Sequence, residues 1–177
     1  MISNAGTAAG ISLWLMPEAE PREHLAALIA RLAVRLSTPA FAPHVTLLAA
    51  IEGASPEDVL ATARAMSASL RPFAVHLDGV EGRDKYFRCL FARAVPDAPL
   101  RAAHAAAARA FRRQPDPAFP PHLSLVYGEL GAEDKRQLAL ELAGSLVTSF
   151  EADHLHVWRT QGAVSDWREL GVFALSG

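Results

Sequence analysis

Residues 41–48 read FAPHVTLL and residues 119–126 read FPPHLSLV. Both obey one eight-residue frame: Phe, any residue, Pro, His, an aliphatic, Thr or Ser, Leu, an aliphatic. Side chains alternate faces along a strand, so His44 shares a face with Thr46, and His122 with Ser124, at Cα separations of roughly 6.5–7 Å. The aliphatic residues between them take the opposite face. Each proline restricts the residue ahead of it to an extended conformation, and each Phe is read as a core anchor. The frame therefore specifies two strands that are buried on one side and present an imidazole and a hydroxyl on the other.

The chain around each copy follows the same order. ISLWLMP (11–17) is an apolar run ended by proline and reads as a strand. Leu25, Leu28, Ile29, Leu32 and Leu36 then recur at helical spacing, and the strand at 44–51 follows. Residues 55–70 open with a Ser cap, Pro and acids, the signature of a helix start. The segments 73–80 and 86–95 read as a hairpin around EGRDK. From Pro96 the order restarts: an Ala-rich helix over 97–113, a strand over 122–127, a helix over 131–146, and a second hairpin from 149–160 and 167–175 around QGAVSD. Pro17 precedes His44 by 27 residues, Pro96 precedes His122 by 26, and the two histidines are 78 apart. Two copies of so long a unit predict a pair of similar lobes facing each other across a cleft. Residues 1–10 are read as a disordered N-terminus and 11–177 as a single bilobal domain.

Composition bounds what such a cleft can serve. The 177 residues are 51% hydrophobic and 20% charged, with net charge −2 and a pI near 6.4, ordinary for a globular protein and without the basic footprint that long nucleic acids select. Cys89 is the only cysteine, which excludes an intrachain disulfide and a cysteine-based metal cluster; a reducing cytoplasm is the simplest setting. The first residues carry no basic, apolar leader pattern, and charges interrupt every apolar run before roughly 18 residues, so no membrane association is expected.

If each motif strand lines the cleft, two imidazoles and two hydroxyls converge on one site. Phosphodiester cleavage needs a base for the attacking oxygen and an acid for the leaving oxygen, and histidine does either near neutral pH. Hydroxyls can donate to the non-bridging oxygens, where charge concentrates in the transition state. No metal or other cofactor is required. His154 and His156 in DHLHVW share a strand face and could ligate a metal, but with no cysteine and no evident third ligand a structural pair is expected. His24, His76 and His104 stand alone, and solvated or capping roles are expected. GRDKYFR (82–88) gathers Arg83, Lys85 and Arg88 beside Tyr86, which could stack on a base or meet a phosphate; a solvated hairpin tip is the plainer expectation. Trp14, Trp158 and Trp167 are expected in the core or between lobes.

Paired His-x-Thr/Ser motifs in two related halves resemble the two-histidine (2H) phosphoesterase superfamily, and HVTL, YFRC and HLSLVYG are most similar to its cyclic phosphodiesterase branch. The resemblance runs from the strand at 11–17 to TQGAVSDW (160–167). It implies an α+β fold of two pseudo-symmetric lobes, each an antiparallel sheet with outer helices, with a metal-independent active site in the cleft between them, and hydrolysis of a small cyclic phosphate, either a nucleoside 2′,3′-cyclic phosphate or ADP-ribose 1″,2″-cyclic phosphate; a monomer is expected. It also implies that His44 and His122 are the acid–base pair, with His122 as base and His44 as acid. Thr46 and Ser124 would hold the phosphate and Tyr127 would border the ligand; Tyr86, from its place in GRDKYFR, is a further candidate for substrate contact. Two rivals remain: a phosphodiesterase acting on RNA ends, at 2′,3′-cyclic termini or 2′–5′ linkages, and a nucleotide-binding module without catalysis.

Overall fold

The computed structural model describes residues 6–177. Ten strands and four helices are defined: β1 (Thr7–Ala8), β2 (Ile11–Leu15), α1 (Ala19–Leu36), β3 (Val45–Ile51), α2 (Pro56–Ser67), β4 (Phe73–Gly82), β5 (Leu90–Ala94), α3 (Ala98–Ala110), β6 (His122–Val126), α4 (Ala132–Leu142), β7 (Ser149–Ala152), β8 (His154–Arg159), β9 (Gly162–Ala163) and β10 (Arg168–Ala174). Helix starts follow local chemistry. Ser55 accepts from the Asp58 amide and Asp97 from the Leu100 amide, each at 3.1 Å, satisfying first-turn donors that would otherwise lack partners.

One curled antiparallel sheet of eight strands runs in the order β10-β8-β2-β3-β6-β5-β4-β7. Its midline falls between β3 and β6, the two motif strands, which meet through the pair Val45 and Leu123. Four strands lie on either side, giving the two expected half-sheets. The halves exchange elements: β4, which follows the first motif, lies beside β5 of the other half, and β8, which follows the second, lies beside β2. The helices cross as well, α1 packing on β6 and α3 on β3.

Strand alternation sorts the residues between the two faces. Leu13, Leu15, Val45, Leu47, Leu123, Leu125, Leu155 and Val157 are buried, and they form one core with the α1 residues Leu25, Leu28 and Leu32. Each such side chain contributes roughly 1.5–3 kcal/mol relative to exposure. The concave face carries Ser12, Trp14, His44, Thr46, His122 and Ser124. His104, expected at the surface, is instead buried: Nδ1 donates to the Leu47 carbonyl at 2.9 Å, Nε2 accepts from the Asp116 amide at 3.1 Å, and the ring stacks on Phe119 at 3.9 Å. It bonds α3 to β3, which its isolated position in an Ala-rich helix did not disclose.

Three further expectations are corrected. The strand read over 86–95 begins only at Leu90, because Tyr86–Arg88 forms a single 3-10 turn closed by the Arg88 amide on the Lys85 carbonyl at 2.9 Å. The strand read over 149–160 is two strands. Phe150 and Ala152 are buried on β7 but Leu155 and Val157 on β8, a one-residue slip of the alternation at Asp153–His154. There the chain leaves β4 for β10 and passes from one half-sheet to the other. The frayed end read over 1–10 fails at Thr7 and Ala8, which pair with Ala163 and Gly162; backbone pairing demands no side-chain pattern. Residues 1–5 lie outside the described residues.

Gly10 joins this N-terminal pairing to β2. Its φ is +66°, and a Cβ there would stand 2.4 Å from the Ile51 carbonyl oxygen. Both conditions require glycine. Gly10→Ala should cost at least about 1–3 kcal/mol of stability, read as a lower urea midpoint, and an unchanged midpoint would contradict this account of the turn.

Candidate active site

The β3–β6 pairing gathers the motif. With Val45 opposite Leu123, the same register carried one residue each way sets His44 opposite Ser124 and Thr46 opposite His122. Opposed residues in an antiparallel pair hold their Cβ atoms about 4.5–5.5 Å apart. All four side chains line one cavity of about 400 Å³.

Both imidazoles are held in the same way. Nδ1 of His44 donates to the Ala42 carbonyl at 2.7 Å, and Nδ1 of His122 to the Pro120 carbonyl at 3.0 Å. A carbonyl can only accept, so the proton of each neutral ring sits on Nδ1 and Nε2 keeps its lone pair for a ligand. The accepting residue in each case precedes a proline, Pro43 or Pro121, and is thereby kept extended. The Pro of the frame thus fixes the tautomer of the His that follows it.

Enclosure differs between them. His44 is 6% exposed and lies flat on Trp14, ring centroids 3.5 Å apart. Burial lowers its pKa to about 3; the field of His122 adds to this, and the Ala42 carbonyl opposes it. His122 is only half-buried and meets Phe91 edge-on at 5.2 Å. Its pKa is lowered by burial first and by the Arg88 guanidinium as well, against the Pro120 carbonyl. Tyr127 is buried against Phe41 at 3.7 Å, and its hydroxyl stands 3.5 Å from Nε2 of His44. Burial pushes that phenol's pKa up, so it remains a donor toward the ring.

The hydroxyls differ too. Ser124 donates to the Phe87 carbonyl at 2.9 Å, whereas the Thr46 hydroxyl has no side-chain or backbone partner among the described residues. Arg88 is the component whose place the sequence left open. The 3-10 turn swings it into the cavity, its guanidinium 5.1 Å over the Phe91 ring. Arg88 Nε and Trp167 Nε1 are buried donors with no partner among the described residues, and both residues line the cavity. Arg83 and Lys85 do not line it, and Arg83 pairs with Glu81 at 2.8 Å. Tyr86 stands behind Tyr127, ring centroids 6.4 Å apart, and does not line the cavity either. Trp14 floors the site beneath His44. Thr7–Ala9 also border the cavity, and nothing in their sequence announces it. Among the described residues the lining contains a guanidinium, two imidazoles and several hydroxyls but no carboxylate, an electrostatic setting suited to an anion.

A family model described as cyclic phosphodiesterase-like protein matches residues 9–175, and the chain belongs to that family. Among solved structures it is similar to apo LigT of Escherichia coli, at TM-score 0.63 and 14% identity over 97% of this chain and 99% of that one. It is also similar to TT0787 of Thermus thermophilus, at TM-score 0.61 and 18% identity over 95% and 98%. No curated protein sequence matches the chain. Among the described residues no helix is long and apolar enough to cross a membrane.

His44 links the cavity to folding. Its folded pKa of about 3 lies below the unfolded value of 6.5, so the unfolded chain takes up the proton first as the pH falls. The contribution is complete above pH 6.5 and is lost toward pH 3, at up to about 1.4 kcal/mol per pH unit. Urea unfolding across this range should show a shallower pH dependence for His44→Asn than for the parent protein. Identical slopes would show that the ring is not enclosed as described.

Proposed function

We propose that the protein hydrolyses a small cyclic phosphate, a nucleoside 2′,3′-cyclic phosphate or ADP-ribose 1″,2″-cyclic phosphate, by two-histidine acid–base catalysis without a metal. The observation that carries this reading is the matched pair of imidazoles on one cavity, each with Nδ1 tied to a backbone carbonyl and a lone pair on Nε2. The lining offers no carboxylate or thiolate with which to hold a divalent ion beside the phosphate. Crystal structures of E. coli LigT with 3′-AMP and with phosphate support a phosphate-bearing nucleotide as the ligand class.

In the proposed reaction one Nε2 removes a proton from water as the oxygen bonds to phosphorus, and the other imidazolium protonates the ribose oxygen as the ring P–O bond breaks. The product is a phosphomonoester, and exchange with solvent restores the starting protonation. Thr46, Arg88 and Ser124 would meet the non-bridging oxygens, Ser124 by turning its hydroxyl from the Phe87 carbonyl. Enclosure favours a definite order of roles. His44, floored by Trp14 and facing the Tyr127 hydroxyl, resists protonation more than the half-buried His122, so His44 is assigned as base and His122 as acid. This reverses the order implied by family resemblance.

The RNA-end reading is less well supported. Arg83 is paired with Glu81, and Arg93 with Asp78 and Glu81, each within 3.1 Å, which leaves little free positive charge beside the cleft for a phosphate backbone. The non-catalytic module is tested by turnover itself.

The reaction needs one imidazole charged and one neutral. Since both pKa values lie below 6.5 in the free protein, kcat/KM should peak below pH 6.5 and fall about tenfold per unit at higher pH. A plateau extending above pH 7 would show that the proton affinity of the acid is not lowered as described. His44→Ala and His122→Ala should each lower turnover of the cyclic phosphates by roughly 10²–10⁴-fold. With a p-nitrophenyl phosphodiester, whose leaving group needs no proton, His122→Ala should regain most of its loss and His44→Ala should not. The opposite pattern would restore the other order, and absence of turnover by the parent protein on every cyclic phosphate would leave a binding module.

A further inference from the structure

Along the chain His154 and His156 have no neighbouring third ligand, but the fold brings one from far away in sequence. His156 is 3% exposed on the concave face of β8, opposite Trp14. Its Nδ1 donates to Glu169 Oε2 at 2.9 Å, which fixes the tautomer and leaves a lone pair on Nε2. That Nε2 is buried without a hydrogen-bond partner and faces Oε1 of Glu18 at 3.7 Å. A cation between these two atoms, a proton on Nε2 or a metal ion, would hold them together.

Glu18 is part of a larger set. Ligand atoms of Glu18, Asp153 and His154 all lie within 4.8 Å of one another, with His154 Nδ1 2.8 Å from Asp153 Oδ1. Glu18 occupies the N-cap of α1 but its side chain makes no capping bond; its other partner is Arg22, at a loose 3.9 Å. The outer groups are partly exposed, Glu18 42%, Asp153 40% and His154 39%, and His156 lies beneath them, so an ion could enter from solvent.

We infer that Glu18, Asp153 and His154, with His156 facing Glu18 beneath them, form a binding site for a divalent transition metal of the zinc class. Imidazole with carboxylate suits such ions, and tetrahedral ligands at about 2.0–2.1 Å from zinc stand roughly 3.4 Å from each other, close to the His156–Glu18 separation. Glu169 behind His156 supplies the carboxylate–histidine support typical of metal ligands. The site is separate from the phosphate cleft: along the sheet His156 lies opposite Trp14, and Trp14 lies opposite Thr46. It sits where β7 passes into β8 and where the chain turns from β2 into α1. A bound ion would therefore tie the crossover between half-sheets to the start of α1, a structural role independent of the hydrolysis proposed above.

The test is zinc titration of the full-length, chelator-treated protein, followed by calorimetry and by thermal melting. One equivalent should bind and raise the melting midpoint, and cobalt(II) in its place should give the visible absorption of a tetrahedral centre. Glu18→Gln, at a half-exposed position that should not disturb folding, and His154→Gln should each weaken zinc binding by more than about tenfold; Glu18→Gln should leave cyclic phosphate hydrolysis unchanged. Failure to take up one equivalent, or uptake unaltered in both variants, would overturn the proposal. So would nitrogen NMR showing His156 doubly protonated in the presence of zinc, since a proton would then fill the gap.

Discussion

The backbone pairing of Val45 with Leu123 is the constraint on which the rest of the molecule turns. Two strands of the same frame meet antiparallel at that point, so a local twofold relation is imposed on everything attached to them. Their shared register puts each imidazole beside the other strand's hydroxyl, which neither repeat could do alone. The period of two in a strand also allows no intermediate: a slip of one residue in either strand would turn its histidine into the core and its Val45 or Leu123 into the cleft. Exchange of β4 and β8 between the halves reinforces that register, since each half-sheet carries a strand contributed by the other repeat.

Symmetry ends at the second layer. Phe41 stacks on Tyr127, whereas Phe119 stacks on His104, so the same frame position serves the cleft wall in one copy and the anchoring of α3 in the other. His44 lies on an indole, while His122 has the edge of Phe91 and the guanidinium of Arg88 nearby. Differences of this kind separate two chemically identical groups into unlike proton affinities, which an acid–base pair requires. Under the proposed reaction the duplicated motif supplies two candidates for each role, and unequal burial would select between them.

How much of this could be read beforehand depends on the range of the interaction involved. The four helices follow from local periodicity and caps, and the motif strands from an alternation confined to eight residues. Arg88 and Tyr86 were read as neighbours at a hairpin tip. Only the 3-10 turn separates them, and its trace in the sequence is the consecutive buried run Cys89, Leu90 and Phe91, which breaks strand alternation. The division between β7 and β8 left a similar trace in the phase slip from Ala152 to Leu155. The contact of Glu18 with His156 left none, because it joins residues far apart in sequence through β2 and β8, and no periodicity encodes which strand will be a neighbour. The cleft residues Thr7–Ala9 are hidden for the same reason.

Burial of the histidines sets stability against readiness for catalysis. A neutral imidazole on Trp14 packs without a charge to solvate, which favours the folded chain but leaves the empty cleft short of the proton the proposed reaction consumes. An incoming phosphodiester brings the missing charge: its anion would raise the proton affinity of both rings at the moment it displaces water from them. The ring nearer solvent and the phosphate oxygens would gain most, and the enclosed ring would gain least, because desolvation still dominates there. Substrate would thus complete the ionisation state that the folded protein alone disfavours. A cavity without carboxylates is what permits this, because a resident acid would hold an imidazolium permanently and repel the anion that should create it.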